Sequence, residues 1–494
     1  MSKAGTRSGQ AGRRAEARLA LPVLLALVLA GCSSTAMLPG ESQPVAPAVP
    51  KQAEMAPATQ REHLRILAAY GGTYENPRVE ALLEETVDKL VAASERPDLK
   101  YKVIILNSPA INAFALPSGQ LYVTRGLIAL ANDNSELASV LSHEMAHVIA
   151  RHAAIREDQA RQAALVNRVA NDLLADPNLG ALALAKSKIA LASFSRAQEF
   201  EADGIGVGIS ARAGYDPYGA QRFLTSMGLN AQLRARTVSI DPRAPDFLSS
   251  HPATPERVSN AQANARQYTG PGSGQRGRND YLASLEGLIY GEDPSEGFVR
   301  GRRFLHPKLG FTVTAPEGFV LDNTAQAVFG VKEGGSQALR LDVVRVPDGQ
   351  TLAEYLVSGW IENIEPKSVE EFTVNGLPAA TATAKGDSWT FRLYAIRFGT
   401  DVYRFIFAAK QRTEAVDRSF RDSIGSFRRM SAAESQSAKP LRIKIVSVGP
   451  NDTPEKFARR MAVGDRQLER FRVLNGLSPS DKLKPGDHVK IVVE

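Results

Sequence analysis

Apolar residues recur at helical spacing through the first half of the chain, from about residue 61 to residue 265. A short β-rich stretch at residues 101–123 interrupts that pattern. From about residue 300 to residue 430 the pattern changes to the alternation typical of strands. The predicted strands are residues 310–315, 338–346, 372–384, 389–398 and 402–408, and the predicted helices among them are residues 352–364 and 414–427. We therefore expect an α+β protein of several domains.

The last part of the chain, residues 441–494, predicts a strand, two helices and a strand. Residues 453–454 (Thr-Pro) are typical of a helix start, and residues 475–476 (Asn-Gly) are typical of a helix end. Residues 484–487 predict a turn into the final strand. This order predicts a small separate module after the α+β stretch.

The first residues have the features of a bacterial export signal. An arginine-bearing start leads into a short apolar run at residues 19–30, which is too short to span a bilayer comfortably. It ends in Leu-Ala-Gly before Cys32, which resembles a lipobox with cleavage before the cysteine. That resemblance implies a lipid anchor on Cys32, whereas the alternative is a plain signal peptide with an incidental cysteine. Cys32 is the only cysteine, so the chain can form no intramolecular disulfide.

The residues after Cys32 predict where the protein resides. Ser33 and Ser34 follow it without an aspartate, which by resemblance favours the outer membrane, facing the periplasm. Residues 32–60 are rich in Pro, Ala, Ser and Gln, as in a flexible tether. Much of the formal net charge of +7 comes from residues 1–31, and the remainder shows no concentrated basic face. We therefore expect no nucleic-acid partner.

Residues 143–147 (His-Glu-Met-Ala-His) carry the clearest chemical signal. Residues 133–136 have the spacing of a capping box, and the helix that they begin places His143 and His147 one turn apart on one face. Both imidazoles can therefore reach one metal ion, and Glu144 is placed to take a proton from water. A helix that buries two imidazoles needs a reason, since Leu or Ala would pack there without polar demands. The alternative is a chance match on a surface helix.

A zinc site with three protein ligands needs one more donor. About fifty residues later, residues 195–203 predict an acidic helix on which Glu199 and Asp203 are one turn apart. Glu199 would complete a His-His-Glu set, and Asp203 would accept a hydrogen bond from a ligand imidazole. Glu201 points elsewhere on this helix and is expected in solvent. An acidic helix alone is usually an exposed face, but after a zinc helix the ligand interpretation is preferred.

With these residues the chain resembles the HtpX-like and CaaX-prenyl-protease-like zinc metallopeptidases, particularly the BepA-like periplasmic branch. The resemblance covers roughly residues 61–265 and rests on residues 112–119, 143–147, 195–203, 251–252 and 257. It implies a mainly helical zincin domain of the gluzincin type with a small sheet. It also implies one Zn²⁺ per chain, held by His143, His147 and Glu199, with Glu144 as the general base. The chain lacks the transmembrane helices of some members and the helical repeats of the BepA-like members, so partner recognition is expected to differ.

The resemblance suggests three further roles. Residues 110–115 resemble the family's active-site edge strand, where a substrate would pair with Asn112, Ala113 and Phe114 by main-chain hydrogen bonds. The same residues also fit an ordinary hairpin. His251 lies in a Pro-rich loop and could approach the zinc, hold the enzyme latent or contact the substrate, whereas a lone loop histidine is more often solvated. Arg257 could stabilise an oxyanion or could be a surface helix residue.

Two other features have structural interpretations. His152 is expected on a different face from His143, as a structural or exposed residue. Residues 204–208 contain three glycines in a pattern that superficially suggests a nucleotide loop. They follow a helical pattern and no strand, so close helix packing is the better explanation.

The C-terminal module is similar to LysM domains in residues 452–453, 475–477 and 483–489. That resemblance implies binding of glycan that contains N-acetylglucosamine, here peptidoglycan. A degenerate module that only packs against the protease is the alternative. The predicted organisation is a signal peptide (1–31), a tether (32–60), a zinc metalloprotease domain (61–270), an α+β domain of unknown role (300–430) and a LysM-like module (441–494).

The sequence thus predicts a zinc endopeptidase of the bacterial cell envelope that hydrolyses misfolded or misassembled envelope proteins. The alternative is an envelope-assembly chaperone or a peptidoglycan-tethered binding protein in which proteolysis is minor. An intact Glu144 favours the enzyme, because a pure binding protein needs no general base.

Overall fold

The computed structural model describes residues 58–158, 161, 194–235, 251–252 and 254–494. The predicted signal peptide, Cys32 and nearly all of the tether lie outside the described residues, so their predicted roles stay predictions. Within the described ranges the chain combines helices with several sheets, as the sequence pattern predicts. Each helix in those ranges is too short or too polar to cross a membrane.

The described residues between positions 58 and 284 are mainly helical. The helices are α1 (Ala58–Ala69), α2 (Pro77–Ala92), α3 (Arg125–Leu130), α4 (Asn134–Ile149), α5 (Arg196–Arg212), α6 (Gly219–Ala235), α7 (Pro255–Arg266) and α8 (Arg278–Ser284). Local sequence explains their starts. Asn76 caps α2 ahead of a proline at its first position, and Ser195 with Gln198 forms a capping box at α5.

A small sheet lies beside these helices. Its strands are β1 (Lys102–Leu106), β2 (Ala113–Ala115) and β3 (Gln120–Thr124), in the spatial order β1-β3-β2. β3 pairs in parallel with β1 and antiparallel with β2. β2 is therefore an edge strand as well as one arm of a hairpin, so the two sequence interpretations of this segment are compatible.

Helix α4 lies at the centre of the helical domain. Every residue from Ser135 to His147 is buried. Asp133 caps the helix by accepting from the Glu136 N–H, while the Glu136 carboxylate accepts from the N–H of Asn132. The predicted capping signal is thus present, but its second hydrogen bond reaches one residue further back.

The middle domain is built on a seven-stranded antiparallel sheet. Its strands are β8 (Phe319–Asn323), β9 (Val328–Lys332), β10 (Gln337–Val344), β11 (Glu370–Val374), β12 (Leu377–Lys385), β13 (Thr390–Phe398) and β14 (Asp401–Ala409). Their spatial order is β11-β12-β13-β14-β10-β9-β8. Alternate residues of β14 face two separate cores, with Phe405 and Phe407 in one and Ile406 in the other. This two-sided burial follows from the period of two along a strand.

A second, smaller antiparallel sheet completes the middle domain. Its strands are β5 (Phe298–Arg300), β6 (Arg303–His306), β7 (Phe311–Thr314) and β15 (Arg428–Arg429), in the order β15-β7-β6-β5. The helices of this domain are α9 (Leu352–Leu356) and α10 (Glu414–Gly425), with a short 3₁₀ helix at Pro366–Ser368.

Two predictions of elements in this region were wrong in detail. The predicted strand at residues 372–384 is two strands, β11 and β12, because Asn375 and Gly376 adopt positive φ values of 47° and 80° and form a hairpin turn. The predicted helix at residues 352–364 ends at Leu356, ahead of Gly359 with φ 94°. Beyond these predicted elements, a short helix, α11 (Ala432–Ser437), begins at a capping box formed by Ser431 and Glu434.

The C-terminal module has the predicted element order. Its elements are β16 (Leu441–Ser447), α12 (Pro454–Ala458), α13 (Gln467–Leu474) and β17 (His488–Val493). β16 pairs with β17 and also with β4 (Ile289–Tyr290), which precedes the middle domain. The module therefore shares its sheet with a segment from another part of the chain.

Lys490 connects this module to the helical domain. Its side chain is fully buried, and Nζ donates to the carbonyls of Ala129, Leu130 and Ala131 at 2.8, 3.3 and 2.7 Å. These carbonyls lie at the end of helix α3, where the helix itself leaves carbonyl groups without a donor. Three residues later Asn134 begins α4, so the module contacts the chain just before the helix that carries the predicted ligands.

Candidate metal centre

Helix α4 brings the two predicted imidazole ligands together. His143 Nε2 and His147 Nε2 lie 3.1 Å apart, and both side chains are about 5% exposed. Their spacing of one turn places them on the same face of a helix that the core surrounds. The interpretation of this motif as a chance match on a surface helix is therefore wrong.

Helix α5 crosses α4 at close range and supplies the acidic residues. Glu199 Oε2 lies 3.6 Å from His143 Nε2, and Glu199 Oε1 lies 3.5 Å from His147 Nε2. Asp203 Oδ1 lies 3.0 Å from His143 Nδ1, on the other side of that ring. A proton on Nδ1 facing Asp203 leaves the Nε2 lone pair of His143 directed at the donor group.

Gly206 allows the two helices to approach. A Cβ atom at this position would lie 3.0 Å from the His143 nitrogen and 3.1 Å from its Cα. The predicted role of the glycine pattern in close helix packing is confirmed at this position.

His251 joins the same group from the segment before α7. It is 2% exposed, and its Nδ1 lies 2.8 Å from Glu199 Oε1 and 3.3 Å from His143 Nε2. The alternative of a solvated loop histidine is wrong. His143, His147, Glu199 and His251 together form a buried group whose ligand atoms all lie within 4.8 Å of one another.

Arg257, in the first turn of α7, is 3% exposed and is not a surface residue. Its Nε and Nη2 donate to the two carboxylate oxygens of Asp203 at 2.8 and 2.6 Å. Its Nη1 lies 2.6 Å from Glu199 Oε2 and donates to the carbonyl of Pro252 at 3.2 Å. This guanidinium therefore ties α5 to the segment that carries His251.

Glu144 is 2% exposed and lies beside the donor group without joining it. The nearest basic atom to its Oε1 is His251 Nε2 at 3.8 Å, and that oxygen has no hydrogen-bond partner within the described ranges. Burial raises the pKa of Glu144. A buried carboxylate with a free oxygen next to a metal-binding group is suited to exchange a proton with water.

The electrostatics of the donor group favour ionised carboxylates. Burial opposes ionisation of Glu199 and Asp203, but their basic neighbours hold both pKa values below the usual range. Burial also opposes the charged form of His143, although the carboxylates of Asp203 and Glu199 raise its pKa to about 9. Burial and the neighbouring charges on His143 and His251 lower the pKa of His147.

The donor chemistry and spacing fit zinc. A tetrahedral zinc ion with bonds of roughly 2.0–2.1 Å separates its ligand atoms by about 3.3 Å. The nitrogen and oxygen atoms contributed by His143, His147, Glu199 and His251 are separated by 2.8 to 3.6 Å along five of their contacts. Imidazole nitrogen and carboxylate oxygen are both common zinc ligands. The four residues can therefore hold one such ion.

Two residues around this group were not predicted to take part. His152 is 1% exposed, and its Nδ1 lies 2.9 Å from the Nδ1 of His147. Its Nε2 lies 3.2 Å from Glu201 Oε2, whose side chain is 59% exposed. Of the two sequence interpretations of His152, the structural one holds and the exposed one is wrong. The only sequence signal was a histidine five residues after His147.

The predicted substrate strand lies next to the metal helix. Asn112 is buried, its Nδ2 donates to the hydroxyl of Tyr70 at 2.7 Å, and its backbone pairs with Thr124. Ala113 is buried and Phe114 is partly exposed on β2, which packs on α4. Within the described ranges, no strand pairs with the outer edge of β2.

Comparison with known proteins identifies the domain that carries this site. Residues 77–265 match the model of Peptidase family M48. The chain is similar to the beta-barrel assembly-enhancing protease of Escherichia coli (strain K12), with 32% identity over 209 residues, or 40% of this chain and 41% of that protein. It is also similar to the mitochondrial metalloendopeptidase OMA1 of Arabidopsis thaliana, with 30% identity over 177 residues, or 36% of this chain and 34% of that protein.

These similarities cover only part of each protein. The chain spans less than half the length of both relatives. Among solved structures, cyanobacterial PsbP (CyanoP) from Synechocystis sp. PCC 6803 aligns over 28% of this chain and 98% of that one, with 15% identity and a TM-score of 0.23. That score is too low to define a shared fold. The matched region contains α2 to α7 and all four residues of the donor group, so the chain carries a zinc-dependent metallopeptidase domain of peptidase family M48.

Proposed function

We propose that this protein is a zinc-dependent endopeptidase that hydrolyses misfolded or misassembled proteins of the bacterial cell envelope. One observation carries the proposal. Four buried donor residues from two helices and a loop converge within 4.8 Å, and a buried glutamate that is not part of the donor group lies beside them. A purely structural metal site needs no such glutamate.

Each residue has a defined role in the proposed reaction. When bound, zinc supplies a Lewis acid that polarises the scissile carbonyl and acidifies water. Glu144 takes the proton of the attacking water at its free oxygen and delivers it to the departing amine. Asp203 holds the ring of His143 through Nδ1.

Arg257 is assigned to positioning rather than to the oxyanion. Its nitrogens contact Asp203, Glu199 and the carbonyl of Pro252. A guanidinium that is engaged in this way holds the carboxylates in place, and little of it is left to face a substrate.

The substrate is proposed to bind as an extended strand along β2. The open edge of β2 offers main-chain groups at Ala113 and Phe114, next to the helix that carries Glu144. Because main-chain pairing does not depend on side chains, selection by unfolding rather than by sequence is expected.

His251 is proposed to restrain the enzyme. Its Nδ1 shares the donor group, and its Nε2 is the nearest basic atom to the free oxygen of Glu144. A substrate carbonyl and the attacking water need that space, so the loop must move before hydrolysis. The smaller side chain in His251→Ala is expected to raise the basal rate of substrate cleavage. A variant with the activity of the parent would contradict this restraint.

The catalytic proposal is tested with Glu144→Gln and His147→Leu, with Glu256→Gln as a surface control. Glu144→Gln should bind zinc as the parent does but lose cleavage of an unfolded substrate such as casein by at least about 10²-fold. His147→Leu should lose both zinc and cleavage. Glu256 pairs with Arg196 at the surface, so Glu256→Gln should keep both properties. Cleavage by Glu144→Gln at the parental rate would refute the mechanism.

The alternative function is an envelope-assembly chaperone or tethered binding protein with minor proteolysis. Export and lipidation at Cys32 would bring either protein to the membrane, and the name of the bacterial relative links that protein to β-barrel assembly. The two functions are separated in a deletion strain. If Glu144→Gln restores the normal envelope as well as the parent does, the binding function is favoured, whereas failure to restore it favours the protease.

Peptidoglycan binding by the C-terminal module is a second proposed function. The side that holds Lys490 contacts the protease core, whereas the loops at residues 451–453 and 479–482 are largely exposed. These two loops flank the helices in the part that resembles LysM domains. Ser480→Trp in the full chain should reduce co-sedimentation with purified sacculi, and Ser358→Trp on the middle domain should not. Equal sedimentation of the two variants would contradict this site.

A further inference from the structure

Both ring nitrogens of His147 face other polar side chains. Nε2 faces His143 and Glu199 at 3.1 and 3.5 Å, whereas Nδ1 faces away from the donor group, toward the Nδ1 of His152 at 2.9 Å. The two imidazoles meet at 71° with their centroids 4.9 Å apart. This edge-to-edge contact is short enough for a hydrogen bond between the two nitrogens.

Only one arrangement of protons suits this contact when His147 is a metal ligand. A neutral imidazole that gives its Nε2 lone pair to a metal carries its proton on Nδ1. His147 Nδ1 must then donate to His152 Nδ1, so the neutral ring of His152 carries its own proton on Nε2. That nitrogen lies 3.2 Å from Glu201 Oε2. Each donor in the series therefore meets an acceptor.

The series runs from the donor group to solvent. His152 is 1% exposed, while the side chain of Glu201 is 59% exposed. Phe194 stacks on the ring of His147 at 4.0 Å and 26°, and the guanidinium of Arg156 lies 4.4 Å above Phe194. These side chains keep water away from the inner hydrogen bond, which is stronger in a region of low dielectric constant.

The backbone conformation after α4 places His152 next to His147. Helix α4 ends at Ile149, and Arg151 adopts a left-handed conformation with φ 56°. This turn directs the chain back, so His152 lies behind His147 rather than one turn further along the same face. A residue other than glycine costs free energy in this conformation, and here the contact with His147 depends on it.

From this geometry we propose that His152 and Glu201 are positioning residues for the metal ligand His147. The carboxylate of Glu201 orients His152, and His152 holds the ring of His147 with Nε2 toward the metal. A hydrogen-bond acceptor behind a ligand imidazole also makes that ligand more basic. The inference rests on the proposed metal site, but it does not depend on the identity of the substrate.

The test measures zinc affinity of the full chain by competition with a chromophoric chelator. His152→Leu removes the acceptor and should weaken zinc binding about 10- to 100-fold. His152→Asn places a side-chain oxygen close to the position of Nδ1, so it should recover most of the lost affinity. Glu201→Gln keeps the shape but removes the charge and should weaken binding by a few fold, whereas the surface control Glu256→Gln should not.

A purely structural role would give a different pattern. The substitutions would then lower the melting temperature of the metal-free protein and leave its zinc affinity unchanged. His152→Asn would bind zinc no more tightly than His152→Leu. Either result would overturn the proposal. If His152→Leu does not fold, the comparison of Glu201→Gln with Glu256→Gln decides, and equal affinities refute the role of the pair. Failure of the parent itself to bind zinc would instead refute the proposed function.

Discussion

The contact between α4 and α5 makes a prediction about two glycines on one helix. Gly204 and Gly206 both lie inside α5. A Cβ at position 206 would lie 3.0 Å from the His143 nitrogen, 3.1 Å from its Cα and 3.2 Å from the carbonyl carbon of Ser142. A Cβ at position 204 would meet only Asn264 Nδ2, at 3.7 Å. The variants Gly206→Ala and Gly204→Ala therefore differ in whether the added methyl group meets the backbone of the metal helix.

The expected magnitudes follow from two opposing effects. Each substitution gains about 0.8–1.0 kcal/mol of helix propensity. Contacts between carbon atoms are most favourable at about 3.5–4.0 Å, so Gly206→Ala forces the helices apart by about 0.5 Å. Overpacking of this kind costs about 1–3 kcal/mol. Gly204→Ala should thus stabilise the protein, and Gly206→Ala should be less stable than Gly204→Ala by about 1–3 kcal/mol.

The same displacement should reach the metal site, because α5 also carries Glu199 and Asp203. We expect Gly206→Ala to bind zinc about tenfold more weakly, an effect similar to the loss of a residue that orients a ligand. Denaturant unfolding of the metal-free variants measures the packing effect, and chelator competition measures the effect on zinc. Equal stability of the two variants would refute the packing argument. Lower stability of Gly206→Ala with unchanged zinc affinity would show that helix spacing does not set the ligand positions.

Three further predictions concern stability away from the donor group. Lys490→Met should lower the free energy of unfolding by about 2–4 kcal/mol in calorimetry, because three buried carbonyls at the end of α3 lose their hydrogen-bond donor. An unchanged melting temperature would contradict this. Arg151→Gly should raise the free energy of unfolding by about 0.5–1 kcal/mol, since glycine accepts a φ of 56° without steric cost. A lower free energy of unfolding would show that the arginine side chain contributes more stability than its conformation costs. Burial raises the pKa of Glu292 from 4.5 to about 7. Between these two pH values the folded state keeps a proton that the unfolded state loses, so the free energy of unfolding should fall as pH rises from 4.5 to about 7. Urea midpoints measured between pH 4.5 and 7.5 should fall less steeply for Glu292→Gln, and parallel curves would refute the assignment.

The part of the site that lies on regular helices could be predicted from the sequence. His143 with His147, and Glu199 with Asp203, are pairs spaced by one turn, and the spacing alone assigns each pair to one face. The strands of the middle domain were predicted from alternation for a similar reason. The turn between β11 and β12 was not predicted, because Asn375 and Gly376, which adopt positive φ values, lie inside a long alternating run.

The partners outside these helices could not be predicted from spacing. His152 reaches His147 through the left-handed turn at Arg151, and a helical projection across that turn assigns it to the wrong face. Lys490 reaches the carbonyls of α3 from more than 350 positions away in sequence. Contacts of this kind depend on how domains pack, and local patterns of polar and apolar residues carry no information about them.

Arg257 shows why such contacts matter for experiments on the site. Its guanidinium holds Asp203 and Glu199 on one side and the carbonyl of Pro252, next to His251, on the other. Ligand position and the approach of His251 are therefore coupled through one side chain. Substitution of Arg257 would leave two buried carboxylates without their cation and would also release the loop, so its effect on activity could not be assigned to either cause. Substitution of His251 itself keeps the Arg257 contacts with both carboxylates, so its effect can be assigned to the loss of one imidazole from the donor group.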